Sequence, residues 1–409
     1  MASRLRHICA HRVCAHRVCA SPRRSTTCPR TARIQGVRGH LPLRPQYPSG
    51  LLHSVAIPSC PTLCGASVGA VNDSRTTSGS PATAGIAAHV IPLARPAHSH
   101  ERTTASPRMV SPLVAPIVST QWLCDHIGSD SVVVLDASVL RVTGFDSHPT
   151  WLSGLDQYLV GGHIPGAIFA DLIDEFSNPT GAFGFERPSI AQFEAAAAAV
   201  GVTNDSTVIV YDTAAGQWAA RLWWLFRANG YDRVAVLDGG LTKWNHEDRP
   251  IDTGSVEPAR GAFTSTERPQ LWADKTFVAS VVSGEAAATL VCAVPASEFA
   301  AESGERARRG HIPGSVSVPS GRLVDAETNA FLKPDALRAL FAPTLDLTAR
   351  SAVAGTPTLI VAYCDGAIAA AADALALALI GVTDVAIYDG SLTEWSVDDA
   401  LPLVGAAIY

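Results

Sequence analysis

Lysine is absent from the first 108 residues, methionine occurs only at Met1 and Met109, and charged side chains make up 17% of the chain against 47% hydrophobic. No apolar run approaches the roughly 20 residues needed to cross a bilayer. The Ala/Leu stretch Ala369–Ile380 is short and interrupted by Asp373, so no membrane association is expected. CxxC spacing and neighbouring His pairs are also missing, which argues against a structural zinc site. Six of the nine cysteines (Cys9, Cys14, Cys19, Cys28, Cys60, Cys64) lie in the first 108 residues, leaving Cys124, Cys292 and Cys364 for the rest. Three scattered thiols are no disulfide framework and fit a reducing compartment, the cytoplasm first.

Charge divides the chain near residue 108. The first 108 residues hold 14 Arg with only Asp73 and Glu101 against them, a net +12, so the total of −6 leaves −18 on the remainder. The Arg-, Ser- and Pro-rich part shows no sustained helical or strand periodicity and is read as an extension, 1–108, outside the fold. Three readings of it stay open: translation that starts near Met109, a disordered functional tail, or a transit peptide, which would place the protein in the mitochondrion. Without Lys or interleaved aromatics, and attached to an acidic body, it is a weak nucleic-acid signal, and no nucleic-acid partner is expected.

The remainder repeats itself. Gly162-His163-Ile164-Pro165-Gly166-Ala167 recurs as Gly310-His311-Ile312-Pro313-Gly314-Ser315, and the segment 208–244 aligns with 359–395. Each copy reads in the same order. An apolar strand (Val132–Leu135; Leu290–Val291) is followed by the Gly/Pro turn and a helix (Ser189–Val200 with Ser189 as N-cap; Pro334–Phe341). A β-branched strand (Thr207–Tyr211; Thr358–Tyr363), a long apolar helix (Ala219–Ala228; Ala369–Leu379) and a last strand (Arg233–Leu237; Asp384–Tyr388) complete it. Strand alternating with helix predicts an α/β fold of two tandem domains, each a mostly parallel central sheet with helices on both faces. The expected boundaries are 110–251 and 273–406, with the aperiodic segment 252–272 as linker. Ligand sites in such sheets lie beyond the C-terminal strand edges, here a cleft between the copies facing the loop after Tyr363.

The copies differ where it matters. Val210-Tyr211-Asp212 in the first becomes Ala362-Tyr363-Cys364 in the second. Cys364 follows a buried strand, and Asp365, Gly366, Ala367, Ile368 and Ala369 lead into a helix whose first N–H groups lack intrahelical partners. Amides converging on sulfur favour the thiolate, the nucleophilic form. A Cys after a strand, taken alone, is more often a core residue. The strand-end position and the small-residue loop favour the reactive reading here. Cys124 and Cys292 are read as core, and His163 and His311 as structural, since both His sit in the turn of either copy.

The ordered set of GHIPG, Tyr-Cys with its loop, a long apolar helix and YDGSxxEW resembles the tandem rhodanese family of thiosulfate and 3-mercaptopyruvate sulfurtransferases, from about Val110 to Val404. The first copy fits through Tyr211, Asp212, Gly216, Ala219, Arg221, Trp223, Trp224, Phe226 and Arg227. The resemblance implies transfer of sulfur from a small donor to Cys364 as a persulfide, then to cyanide or a thiol acceptor, a small thiol or a thioredoxin-like protein. It implies no metal and no organic cofactor.

The loop departs from both family patterns, Cys-Arg-Lys-Gly-Val-Thr and Cys-Gly-Ser-Gly-Val-Thr, in reading Cys364-Asp365-Gly366-Ala367-Ile368-Ala369. An inward Asp365 carboxylate would raise the thiol pKa, and an outward one would not. Of the two arginines that hold the substrate carboxylate in mercaptopyruvate-type relatives, Glu298 stands at the first position. Arg308 or Arg309 fills the second, and Arg187 could reach across the cleft. Two further functions compete: a non-catalytic rhodanese-like binding module, motivated by Asp365 and Glu298, and phosphoryl chemistry on a Cys-x5-Arg loop, for which Ala370 supplies no guanidinium.

Overall fold

The computed structural model describes residues 115–143, 149–353 and 359–405. The extension 1–108 and Thr358 lie outside the described residues.

The first half contributes β1 (Ile117–Val118), α1 (Thr120–His126), β2 (Val132–Asp136), β3 (Val139–Thr143), β4 (Pro149–Ser153), β5 (Ile168–Phe169), α2 (Ile190–Ala199), β6 (Thr207–Tyr211), α3 (Gln217–Ala228), β7 (Val234–Leu237) and α4 (Gly240–His246). The second contributes β8 (Trp272–Ala273), α5 (Lys275–Ser283), β9 (Thr289–Cys292), α6 (Ala296–Phe299), β10 (Val316–Ser317), α7 (Pro334–Leu340), α8 (Ala342–Val353), β11 (Ile360–Tyr363), α9 (Ile368–Leu379), β12 (Val385–Tyr388) and α10 (Ser391–Trp395). Each half forms a five-stranded sheet, in the orders β1-β7-β6-β2-β5 and β8-β12-β11-β9-β10, with all neighbouring strands parallel. The two orders are one topology, as a duplicated unit requires. Strands β6, β7, β9, β11 and β12 are buried along their whole length, hence the unbroken Val/Ile/Leu runs.

The antiparallel hairpin β3–β4 belongs to the first half alone among the described residues. Helix α8 is likewise an element the sequence pattern did not predict. Trp272, taken as the last linker residue, is edge strand of the second sheet, pairing with Ile387. The rest of the linker is strapped to the first half. Ala262 N–H donates to the Val202 carbonyl at 3.1 Å and Arg268 N–H to Ala228 at 2.7 Å. Phe263 meanwhile packs edge-on against Phe193, Phe226 and Tyr231 at centroid distances of 5.7, 5.8 and 5.3 Å.

Helices α3 and α9 pack against each other and join the halves. Helix α3 carries Trp218, Trp223 and Trp224, all buried, while α9 is almost wholly Ala and Leu, so bulk on one side meets small residues on the other. A buried aromatic of this kind removes enough area from water for roughly 4–6 kcal/mol of transfer free energy. Each half also extends a loop that caps a carboxylate of the other. Arg187 N–H donates to Asp389 Oδ2 at 2.9 Å, and Phe331 N–H to Asp238 Oδ1 at 2.8 Å. The buried Arg221 guanidinium closes the junction, donating to Asp389 Oδ1 and the Phe185 carbonyl, both at 2.8 Å.

Candidate active site

Strand β11 ends at Tyr363, whose register partner is Cys292, and the chain leaves the sheet at Cys364. The loop that follows is pinned from α10. Cys364 O accepts from Leu392 N–H at 3.0 Å, and Asp365 O accepts from Thr393 N–H at 3.0 Å and from its hydroxyl at 2.7 Å. The buried Ser391 hydroxyl accepts from Cys364 N–H and Ala367 N–H, both at 3.2 Å, and donates to Tyr388 O at 2.8 Å. One side chain thereby fixes both ends of the turn. Ala367 enters α9 with φ +63°, where the first half has Gly216 at φ +80°; a Cβ in this region carries strain.

The first half shows what the loop and helix amides do. Asp212, the counterpart of Cys364, is buried, and its carboxylate accepts from four backbone N–H groups: Ala214, Trp218 and Ala219 at 2.9 Å and Gly216 at 3.0 Å. That is a cradle of backbone donors filled by the protein's own carboxyl group, which burial raises above its usual range against the pull of those amides. In the second half the amides of Ala370, Gly366 and Ala369 act on the Cys364 sulfur and lower its pKa. The expectation of a resting thiolate nonetheless needs correction. Burial, followed by the Asp365 charge, outweighs those amides and pushes the thiol up from its ordinary value. Cys364 is only 3% exposed. The loop of the first half comes up to the nucleophile loop at Gly366, with the Gly184 carbonyl 3.5 Å from the position a Cβ there would take.

The Asp365 side chain is 62% exposed, yet its charge still adds to the rise of the Cys364 thiol. It is paired with Arg306 Nη1, while Arg306 Nη2 stands 3.8 Å from Glu298 Oε2. Arg306, not Arg308 or Arg309, is therefore the guanidinium at the loop. Arg308 is spent on the C-terminal turn, donating to the carbonyls of Asp398 and Leu401 at 2.7 Å and Ser396 at 3.3 Å, and Arg309 is exposed. Three arginines within four positions on one loop gave the sequence no means of telling which turns inward. Arg187 does not reach Cys364 either. Its guanidinium lies over Trp272 at 5.1 Å and 4.0 Å from Glu267, between two clefts of about 370 Å³ that Cys364 does not line. Hairpin β3–β4 leans towards the loop from the first half: Arg141 pairs with Glu305 at 3.3 Å, and Trp151 packs edge-on against Trp218 and Phe185.

Cys292 is buried as expected, its thiol pushed up to about 12 by burial. Cys124, expected in the core, is exposed. The short helix α1 turns Thr120 and Leu123 inward, and the next residue falls on the outer face. His163 and His311 do what their turns require. Each stacks on an aromatic ring (Tyr158 at 3.9 Å, Phe299 at 3.6 Å) and bonds the same residue's carbonyl through Nδ1, at 3.0 and 2.8 Å. Ser391 went unnoticed in the sequence, although its counterpart is Gly240. It is a second break in the symmetry, of the kind that exposed Cys364.

The rhodanese-like domain family model matches residues 119–247 and 292–398. The chain is 33% identical over 289 residues to a 3-mercaptopyruvate sulfurtransferase of Escherichia coli, covering 70% of this chain and 96% of that one. It is 31% identical over 283 residues to a thiosulfate sulfurtransferase of Gallus gallus, covering 68% and 92%. Among solved structures it is similar to SseA from Escherichia coli, described as a 3-mercaptopyruvate sulfotransferase with the rhodanese fold. There the TM-score is 0.57 and the identity 32%, over 68% of this chain and 98% of that one. The Tum1 protein of Saccharomyces cerevisiae, 23% identical with TM-score 0.59 over 70% and 96%, shares the fold.

Proposed function

The chain belongs to the rhodanese family in its tandem form, and from that premise we propose that it is a sulfurtransferase carrying sulfane sulfur on Cys364. The observation that carries this reading is the amide cradle. The duplicated loop–helix unit aims four backbone N–H groups at a carboxyl group in the first half, and the second half puts a nucleophilic sulfur in the same place. The half that begins with β8 at Trp272 is the catalytic one, and the half before the linker has Asp212 in place of the cysteine.

In the first step Cys364 Sγ attacks the outer sulfur of the donor. The bond from that sulfur to the donor breaks, and its electron pair leaves with the donor remnant. With mercaptopyruvate the remnant is a carbanion-equivalent that takes up the thiol proton as pyruvate; with thiosulfate it is sulfite. In the second step a thiol or cyanide acceptor takes the outer sulfur and restores Cys364. The acceptor is a small thiol or a thioredoxin-like protein, and the compartment a reducing one, the cytoplasm. Among the described residues no helix is long and apolar enough to cross a membrane.

Arg306 supports a carboxylate donor over thiosulfate. Its Nε and Nη2 have no hydrogen-bond partner among the described residues, and together they form the side-on fork that matches a carboxylate. Asp365 and Glu298 beside it disfavour a dianion. Measuring kcat/KM for 3-mercaptopyruvate and thiosulfate tests this: the first is expected to exceed the second, and a preference for thiosulfate contradicts it. Burial of Cys364 favours the non-catalytic module as a second reading; a protein that no donor loads would bear that reading out.

A further inference from the structure

The half without the cysteine sends a buried guanidinium into the half that has it. Arg221 of α3 is 1% exposed and divides Nη2 between two acceptors, Asp389 Oδ1 and the Phe185 carbonyl, both at 2.8 Å. Its face lies 5.2 Å from the ring of Trp272, the first residue of β8. Each acceptor leads to one side of the nucleophile loop. Phe185 follows Gly184, whose carbonyl comes up to Gly366. Asp389 stands two residues before Ser391, whose hydroxyl accepts from the N–H groups of Cys364 and Ala367 at 3.2 Å. Both segments are strained beside the guanidinium: Phe185 has φ +59° and Ser391 φ +50°, conformations that persist only where the surroundings fix them.

The duplication supplies the comparison. Asp238 is the counterpart of Asp389, Gly240 of Ser391 and Ala372 of Arg221. In the first half Asp238 takes its cation from its own side, Lys243 Nζ of α4 at 2.9 Å, where the second half has Glu394. At the position of Arg221, α9 offers only a methyl group. Burying a charge pair costs desolvation that an apolar contact avoids, and the packing of α3 on α9 already joins the halves. The buried pair forms at the Asp whose neighbour Ser391 holds the nucleophile loop. We propose that Arg221 is a positioning residue for sulfur transfer, acting through Asp389 and Ser391 on the Cys364 loop and through Phe185 on the wall that faces Gly366. This rests on the reading of Cys364 as sulfur carrier. The first half thereby takes part in the reaction at one remove from the sulfur, by fixing where the cradle amides point.

A double-mutant cycle on the full-length protein tests this, with Arg221→Met, Ser391→Ala and the two together, all held below the melting range of the least stable form. The rate of donor loading and the pH midpoint of iodoacetamide alkylation, read on the Cys364 peptide, are measured for each. Each single change is expected to slow loading about tenfold, and the double form little further, because both act on the same two N–H groups. The alkylation midpoint is expected to move in the same direction in both single forms and no further in the double. Arg221→Lys, which keeps a cation opposite Asp389, should lose less and show the same coupling, and it carries the cycle where Arg221→Met does not fold. Arg227→Met is the control for lost stability alone: it lies on the same helix but pairs with Asp232 of its own half, and should combine additively with Ser391→Ala. A double form slowed about a hundredfold, the product of two independent losses, overturns the proposal, as does coupling of equal size to Arg227. If the parent takes sulfur from no donor, the sulfur-carrier reading falls and the alkylation cycle decides the role of Arg221 by itself.

Discussion

Replacing Ser391 by Ala removes one oxygen and three hydrogen bonds at the hinge of the nucleophile loop. The Cys364 and Ala367 N–H groups lose their acceptor in a place water does not reach, at roughly 1–3 kcal/mol for each buried donor left unpaired. The sum is about 2–6 kcal/mol against a total stability of about 5–15 kcal/mol. For a domain of this size that corresponds to a fall in Tm of roughly 5–25 °C. Ser391→Gly, which installs the residue of the first half, loses the same bonds but relieves a backbone held at φ +50°. It should therefore be the less damaging change, by up to about 1 kcal/mol after the entropic cost of glycine. Calorimetry of the three proteins gives the stabilities. Stopped donor-loading reactions give the activity, expected to slow on the order of tenfold or more as the loop loses its geometry. If Ser391→Ala melts within about a degree of the parent and loads at the parent rate, the hydroxyl is not what holds the loop.

Other expectations concern charge. Asp365→Asn removes a charge that raises the Cys364 thiol, so the pH midpoint of iodoacetamide alkylation should move down and alkylation at neutral pH should quicken; an unchanged midpoint contradicts the assignment. Arg306→Lys keeps the charge but loses the fork, and the kcat/KM ratio of 3-mercaptopyruvate to thiosulfate should fall on the order of tenfold. Asp373 lies buried in α9 without a hydrogen-bond partner among the described residues, and burial holds its carboxyl well above the usual range. A raised carboxyl supports the fold only while protonated, so that contribution is present at acid pH and is lost as pH rises through its folded value. Asp373→Ala should stabilise by about 1–3 kcal/mol at neutral pH and less in acid, read by chemical denaturation across pH; a destabilised variant at neutral pH refutes it.

The duplicated fold was largely legible in the sequence because its strands are buried on both faces and read as continuous apolar runs, and because GHIPG marks the same turn twice. Hairpin β3–β4 was not, since its strands alternate without an apolar face: Arg141, Trp151 and Leu152 are exposed, and Arg141 pairs with Glu305 of the other half. Cys364 stood out where the copies diverge, and Ser391 against Gly240 would have yielded to the same comparison. Arg306 could not be separated from Arg308 by spacing alone, because only the packing of α10 and the C-terminal turn decides which side chain is consumed by carbonyls. The direction of the Cys364 shift was hidden for a related reason: sequence shows the amides that can surround the sulfur but not how deeply the folded chain buries it.

The most direct measurement is peptide-level mass spectrometry of the full-length protein after brief exposure to 3-mercaptopyruvate. One added sulfur atom is expected on Cys364, removable by cyanide and absent from Cys364→Ser. Sulfur found instead on the exposed Cys124, or persisting in Cys364→Ser, contradicts the assignment of Cys364 as carrier.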